Sequence, residues 1–219
     1  MHNSSVKLEE INKEISNKVK ELNLTNYNPK IIAVSKTFSA EKIRPLIDVG
    51  HIDFGENKVQ EAAEKWQELK TNDTKLHLIG RLQTNKVKIA VKLFDFIHSL
   101  DNEKLARKLS DELKKINKNI KIFIQVNFGE ENQKAGINPD NVTSFFNYCT
   151  KNLNLNIIGT MCIPPFDQNP EPFFKQLQEI NKTLNLNELS MGMSADYLLA
   201  VKCGSTFLRI GSKIFGERS

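Results

Sequence analysis

Short apolar segments alternate with longer amphipathic segments along the whole chain. Eight of the short segments are nearly continuously apolar, and several are rich in β-branched or aromatic residues, as strands buried on both faces of a sheet are. We therefore predict eight β-strands, at residues 31–35, 51–55, 76–80, 94–99, 121–127, 156–161, 189–193 and 206–211.

The segments between these strands place apolar side chains at the three- to four-residue spacing of one helix face. After the second predicted strand, for example, Val59, Ala62 and Trp66 share such a face. Ser39 is a predicted N-cap, and Pro139 stands at a helix start, where proline is tolerated. The predicted helices cover residues 6–22, 40–49, 56–70, 102–117, 139–151, 173–186 and 195–203.

Strands that alternate with helices indicate an α/β fold with a parallel sheet. Eight such units are the number that closes into a (β/α)8 TIM-type barrel. An open doubly wound sheet is the alternative, and it predicts a glycine-rich turn after an early strand. The first strand here is followed by SKTFS, which contains no glycine. We therefore predict a single domain over residues 1–219. Only about eight residues follow the last strand, so the N-terminal helix within residues 1–25 is expected to pack on the barrel and cover its seam.

Composition excludes several classes of protein. The chain has 219 residues, of which 39% are hydrophobic and 26% charged, with a formal net charge of +5. Basic residues alternate with acidic ones instead of forming a stripe interleaved with aromatics, so we expect no nucleic-acid partner. Since no apolar run approaches about 18 residues, we expect no membrane partner.

The N-terminus and the cysteines bear on the compartment and on metal binding. No secretory signal is recognisable at the N-terminus, and three cysteines form no zinc-binding pattern, so a reducing cytoplasmic location is expected. The four histidines are scattered along the sequence, which argues against a metal site.

Polar residues gather where the predicted strands end. In a barrel these ends form one rim, which is where functional residues lie. A purely structural protein would not require such a set. The residues concerned are Lys36, Glu56, Asn57, Arg81, Gln83, Asn85, Ser99, Asp101, Asn127, Ser194, Arg209, Gly211 and Ser212.

Lys36 directly follows the first predicted strand. It is either a solvated lysine or an amine that lines the mouth of the barrel. Burial at the mouth would lower the pKa of the amine and make it a competent nucleophile for a Schiff base.

A second group of residues suggests an anion site. Arg209 interrupts an apolar strand and needs a partner if it is buried. Gly211 and Ser212 follow it, and Ser194 follows the preceding strand. Barrels frequently bind phosphate after their seventh and eighth strands, although tight turns with a structural glycine would leave the same pattern.

These residues lie in segments that together resemble the YggS/PROSC family of pyridoxal phosphate homeostasis proteins. The resemblance spans nearly the whole chain, and the ordered set of segments is specific although each one alone is weak. The segments are AVSK at 33–36, FGENKVQE at 54–61, HLIGRLQTNKVK at 77–88, IHSLD at 97–101, QVN at 125–127, ENQKAG at 131–136, IGTMCIPP at 158–165, LSMGMSADYLLAVKCGST at 189–206 and LRIGSKIFGER at 208–218.

The resemblance implies a barrel similar to that of alanine racemase, a fold-type-III enzyme, with pyridoxal 5′-phosphate (PLP) as the cofactor. It implies that Lys36 carries PLP as a Schiff base and that Asn57 lies near the cofactor. Phosphate contacts are implied for Ser194, Gly211 and Ser212, and Arg209 is implied to face the pyridine nitrogen. Lys134 matches a lysine proposed to act in PLP transfer, although a solvated loop lysine is the alternative. The resemblance also implies that the protein is a monomer.

We expect a PLP carrier without turnover. An arginine can only donate, so it would keep the pyridine nitrogen unprotonated and weaken the cofactor as an electron sink. Racemisation needs a second base, and none of Tyr27, Tyr148 and Tyr197 stands at a strand end. The expected function is to sequester PLP and deliver it to apo-enzymes. A weak racemase or related PLP enzyme, and a Schiff-base aldolase or isomerase without PLP, remain alternatives.

Overall fold

The computed structural model describes residues 3–129 and 135–217 and forms a closed barrel of eight parallel strands. Each strand pairs with the next, and the first pairs with the last from Lys30 beside Phe207 to Ala33 beside Ile210. The (β/α)8 prediction is therefore confirmed. The strands are β1 (Lys30–Val34), β2 (Asp53–Glu56), β3 (Lys75–Leu78), β4 (Phe96–Leu100), β5 (Lys121–Val126), β6 (Ile157–Cys162), β7 (Glu188–Met193) and β8 (Phe207–Ile210).

Helices surround this barrel. They are α1 (Asn3–Glu21), α2 (Ala40–Asp48), α3 (Val59–Leu69), α4 (Val87–Leu93), α5 (Glu103–Ile116), α6 (Val142–Asn147), α7 (Glu171–Thr183), α8 (Tyr197–Lys202) and α9 (Ser212–Phe215). Over the residues described, none of them is long and apolar enough to cross a bilayer.

Three helical predictions need correction. Helix α4, with the 3₁₀ turn Thr84–Lys86 before it, was not predicted. The helix predicted at 56–70 begins only at Val59, because Glu56 is the last residue of β2. The helix predicted at 139–151 is three segments in succession, a 3₁₀ turn, α6 and the π-helical Tyr148–Asn152.

The two ends of helix α5 show how local sequence sets helix limits. The side chain of Asn102 accepts a hydrogen bond from the backbone N–H of Leu105 at 2.9 Å, which caps the helix start. Asn117 ends the helix in the left-handed conformation with φ of 48°. Ser39 has the extended backbone of an N-cap before α2, as predicted, but its side chain makes no capping bond.

Helix α1 lies over the seam where β8 meets β1. It contacts α2, α8 and α9, and buries Leu8, Ile11 and Ile15. The short C-terminal helix α9 could not fill this space alone.

The inside of the barrel has its own small core. Ile32, Phe96, Phe123, Met161 and Phe207 pack together there, apart from the larger core between sheet and helices. Polar side chains share this interior, all of them almost completely buried: Asp53, His77, His98, Ser190 and Arg209. Buried polar groups need partners, and those partners are part of the site described next.

Candidate functional site

A cavity of about 650 Å³ opens at the carboxyl ends of β1, β2, β7 and β8. Its size is within the range of ligand sites. The six described residues expected to hold a cofactor all line it: Lys36, Asn57, Ser194, Arg209, Gly211 and Ser212. Lys134 lies outside the described residues.

Lys36 occupies a half-buried turn directly after β1. The turn is held to helix α3 by a hydrogen bond in which the backbone N–H of Thr37 donates to Glu61 Oε1 at 2.9 Å. Phe38 follows and stacks on Phe215 with ring centroids 4.9 Å apart. The Lys36 side chain therefore starts from a defined position at the rim.

Glu56 lies beneath this turn. Its side chain is fully buried, and Oε1 accepts hydrogen bonds from Ser35 Oγ at 2.8 Å, Lys65 Nζ at 3.1 Å and Trp66 Nε1 at 3.1 Å. The sequence placed Glu56 on the rim. In the structure it is a buried carboxylate that ties the end of β1 to β2 and α3.

Asn57 presents a buried acceptor without a donor. Its Oδ1 has no hydrogen-bond partner within the described part of the chain. Gly80 packs against it so closely that a Cβ there would lie 2.3 Å from the Asn57 carbonyl oxygen. Because buried acceptors in native proteins are nearly always paired and Asn57 lines the cavity, this oxygen is available to accept a hydrogen bond from a bound molecule.

Ser194 joins the ends of β7 and β8. Its Oγ accepts from the backbone N–H of Gly211 at 3.3 Å and of Lys213 at 3.4 Å. With its oxygen used as an acceptor twice, the hydroxyl hydrogen is left to donate. Ser212, the first residue of α9, adds an exposed hydroxyl beside it. These donors suit an anionic group.

Arg209 is buried at the floor of the cavity, with 4% of its surface exposed. Nη1 donates to Ser190 Oγ at 2.7 Å and Nη2 donates to the carbonyl oxygen of Cys162 at 2.8 Å. Burial lowers the pKa of the guanidinium, yet arginine remains charged in proteins. The prediction that a buried arginine at this position needs a partner is confirmed, and the partners lie in β7 and β6.

Two of the four histidines, His77 and His98, meet inside the barrel although they are 21 residues apart in sequence. His77 Nε2 lies 2.9 Å from Asp53 Oδ1, and His77 Nδ1 lies 3.0 Å from His98 Nε2. His98 Nδ1 lies 2.8 Å from Ser190 Oγ, which is the acceptor for Arg209. Sequence reasoning missed this cluster. A histidine inside each of two buried strands was the available signal, since such a ring needs a partner. The described residues contain no cluster that could hold a metal ion.

Burial is the main influence on the ionisation of these groups. It lowers the pKa of His77 despite the opposing bond to Asp53, and it lowers the pKa of His98 well below the usual range, with help from His77 and Arg209. At Asp53, burial by itself would raise the pKa. The hydrogen bond from His77 and nearby positive charge outweigh it, and the pKa is lowered.

The rest of the predicted rim does not share the cavity. Asn127 lines a neighbouring cavity of about 330 Å³, and Asn85 lines a surface cavity beside α5. Ser99 is buried in β4. Asp101 follows β4, and burial raises the pKa of its carboxyl group. Arg81 and Gln83 also stand outside the lining residues.

The three tyrosines are engaged elsewhere. Tyr27 donates to the carbonyl oxygen of Ser205, Tyr197 donates to Glu14 on α1, and Tyr148 packs beneath Arg107. None of them lines the cavity as the described residues form it.

Comparison with known proteins gives consistent results. The family model described as alanine racemase, N-terminal domain, matches residues 11–219. A pyridoxal phosphate homeostasis protein of Aquifex aeolicus is 41% identical, over 86% of this chain and 87% of its own. One of Haemophilus influenzae is 34% identical, over 95% of this chain and 93% of its own.

Solved structures agree. PipY of Synechococcus elongatus, solved with PLP bound, is 34% identical and superimposes with a TM-score of 0.81 over 92% of this chain and 100% of its own. An alanine racemase of Clostridium difficile has a TM-score of 0.71 over 93% of this chain and 56% of its own. At 16% identity, that second likeness concerns the fold alone.

Proposed function

The chain belongs to the alanine racemase N-terminal domain family and, within it, to the pyridoxal phosphate homeostasis proteins; from that premise we propose that it binds PLP and takes part in PLP homeostasis. We propose further that Lys36 holds the cofactor as a Schiff base, and that the protein keeps PLP sequestered in the cytoplasm, as a monomer, until it is passed to apo-enzymes. PipY, a relative of similar length, binds PLP.

One observation carries the proposal. A single cavity is lined by a primary amine, a guanidinium, two hydroxyls and an amide whose buried oxygen has no partner among the described residues. Its remaining lining is apolar and includes Val34, Phe38 and Ile79. An aromatic aldehyde with a phosphate at one end needs this combination: an amine to condense with, apolar walls for the ring and donors for the phosphate.

The residues divide this work as follows. The amine of Lys36 would attack the aldehyde, and water would leave. Ser194, Gly211 and Ser212 would donate to the phosphate. Arg209 would donate to the pyridine nitrogen and Asn57 would accept from the bound molecule. The cofactor supplies a reactive aldehyde that conjugates with amines.

A carrier fits this cavity better than a racemase. Racemisation requires a base on each face of the substrate, within about 3 Å or through one water. Lys36 can serve one face, but the cavity as described offers no tyrosine, histidine or carboxylate for the other. Arg209, as a fixed donor, would also leave the ring nitrogen unprotonated and weaken carbanion chemistry.

The first experiment measures binding. Purified protein mixed with PLP is expected to show a visible absorption band that Lys36→Ala abolishes. Lys58→Ala, at an exposed lysine outside the cavity, is the matched control and should keep the band. An identical spectrum from Lys36→Ala would contradict the role of Lys36, and a colourless wild type would favour the Schiff-base aldolase without PLP.

The second experiment measures delivery. Loaded protein is mixed with an apo PLP enzyme in the presence of an enzyme that destroys free PLP, and activation is followed with time. Activation that persists under the trap supports direct delivery, and activation that vanishes contradicts it. Lys134→Ala tests the transfer role in the same assay. Solvent deuterium appearing at the α-carbon of supplied amino acids, dependent on Lys36, would instead indicate a racemase.

A further inference from the structure

A continuous line of hydrogen bonds runs through the barrel from one end to the other. It begins at Asp53, the first residue of β2, whose side chain is 12% exposed at the amino-terminal end. It passes through His77, His98 and Ser190, with heavy-atom distances of 2.9, 3.0 and 2.8 Å. It ends at Arg209 on the floor of the cavity, 2.7 Å from Ser190. We call these five side chains the interior chain.

With both buried imidazoles neutral, the chemistry at the two ends fixes the direction of every bond. The guanidinium of Arg209 can only donate, so Ser190 Oγ accepts from it. The carboxylate of Asp53 can only accept, so His77 donates through Nε2. A neutral imidazole has one N–H and one lone pair, so His77 Nδ1 accepts from His98 Nε2. His98 Nδ1 then accepts the hydroxyl hydrogen of Ser190.

Packing fixes the planes of the two rings, and the hydrogen bonds at their nitrogens set which edge faces each partner. His77 stacks on Phe96 with centroids 4.2 Å apart and planes 13° apart, and His98 stacks on Phe123 at 4.2 Å and 17°. Phe207 meets His98 edge-on at 6.0 Å. Both imidazoles are completely buried, so solvent reaches the chain only at its Asp53 end.

We propose that the interior chain positions Arg209 for the ligand. The hydroxyl hydrogen of Ser190 is held by His98, which leaves the Ser190 oxygen facing Nη1 of Arg209 as an acceptor. The carbonyl of Cys162 holds Nη2, and the guanidinium is fixed in one orientation. Asp53, His77, His98 and Ser190 are thus positioning residues that act through Arg209. The functional half of this inference rests on the proposed function, whereas the proton arrangement does not.

Other charged groups lie around the chain without breaking it. Lys30, His51 and Asp95 face its Asp53 end, and Cys162 and Asp196 act on Arg209. Protonation of either interior histidine would make it a donor at both nitrogens. His98 would then point an N–H at Ser190, whose hydroxyl would have to turn away.

The proton arrangement is tested first, on PLP-free protein. Long-range ¹H–¹⁵N NMR of the imidazole rings, assigned with His77→Gln and His98→Gln, reports tautomer and charge. The expected result is that both rings are neutral with the hydrogen on Nε2 at pH 7. An Nδ1–H tautomer or a charged ring at either position would overturn the inference.

The positioning role is tested by PLP titration of Ser190→Ala, which removes the acceptor for Arg209. We expect PLP affinity to fall about tenfold, the size of effect that one lost bond to a charged group produces. His98 Nδ1 also loses the Ser190 hydroxyl, so the His98 ring should no longer show a single tautomer in the NMR spectrum. Ser190→Thr keeps the hydroxyl and should retain both properties. Unchanged affinity and an unchanged His98 signal in Ser190→Ala would overturn the role.

A matched control separates positioning from packing. Ser205→Ala removes another fully buried hydroxyl, which donates to the carbonyl of Met191 at 2.7 Å and does not touch Arg209. It should lower stability without weakening PLP binding, and an equal loss of affinity in Ser205→Ala would overturn the positioning role. If Ser190→Ala does not fold, the tautomers of the unsubstituted protein still decide. PLP binding with the wrong tautomers refutes the inference alone, and the expected tautomers without PLP binding refute the proposed function alone.

Discussion

Lowering the pH from 7.5 to 5.5 should destabilise the fold through the buried histidines. His77 and His98 are completely buried, and burial is the first cause of the lowered pKa of each. In the unfolded chain both rings titrate near 6.5. Below that pH the unfolded state takes up protons that the folded state refuses. The stability they contribute is therefore fully present above pH 6.5 and is lost as pH falls towards the folded pKa values.

The magnitude follows from the number of rings. Each buried neutral histidine changes the free energy of unfolding by at most about 1.4 kcal/mol per pH unit once its unfolded form is protonated. Between pH 7.5 and 5.5, with 6.5 at the midpoint, the loss is at most about 1.4 kcal/mol for each ring, or about 3 kcal/mol for two. His51, whose pKa burial also lowers, acts in the same direction. Such a loss is a large part of the roughly 5–15 kcal/mol that a native protein has.

Urea unfolding followed by circular dichroism at several pH values measures this directly. Glu112 and Glu171, whose pKa values are lowered by lysine partners, titrate below the chosen range and should contribute little. His98→Gln removes the ring whose pKa is lowered most clearly, so the variant should lose less stability over the same interval. A free energy of unfolding that stays flat or rises as pH falls from 7.5 to 5.5 would refute neutral buried imidazoles.

Three further predictions concern stability and reactivity. Asn102→Ala should cost about 1 kcal/mol in the free energy of unfolding by losing a cap bond, whereas Ser39→Ala should cost less, and equal losses in urea unfolding would contradict this. Gly80→Ala should weaken PLP binding in a titration because its Cβ would displace Asn57, while Gly50→Ala, at a positive φ in open space, should cost only stability; unchanged PLP affinity in Gly80→Ala would count against the site. Burial raises the pKa of Cys162 to about 12 and encloses all three thiols, so a thiol reagent at pH 7.5 should label them only after unfolding, and rapid native labelling would be inconsistent with the packing.

The strands were predictable because both of their faces are buried. All eight appear within or beside the predicted segments, since apolar, β-branched runs satisfy both sides of a parallel sheet. Helix α4 was not predicted because its seven residues, VKIAVKL, are as apolar as a strand and begin without a capping side chain. Glu56 was predicted to line the rim because carboxylates are usually exposed. Its burial depends on tertiary hydrogen bonds from Ser35, Lys65 and Trp66, which the sequence alone does not show.

The site was partly predictable for a topological reason. In a barrel, all strand ends meet at one rim, so residues far apart in sequence such as Lys36 and Arg209 could be expected together. Which rim residues share one cavity depends on side-chain direction, and Arg81 and Asp101 lie at strand ends, as predicted, without lining this cavity. The interior chain depends on register. Its contacts join residues 21, 24 and 92 positions apart. A histidine in a buried strand shows that a partner is needed, but the local sequence does not show which residue that partner is.

The role of Lys36 can be tested by locating the lysine to which PLP is attached. PLP-loaded protein is treated with borohydride, digested and analysed by peptide mass spectrometry. We expect a single pyridoxyl group on the peptide that contains Lys36. A label on any other lysine instead, or no label at all, would contradict it.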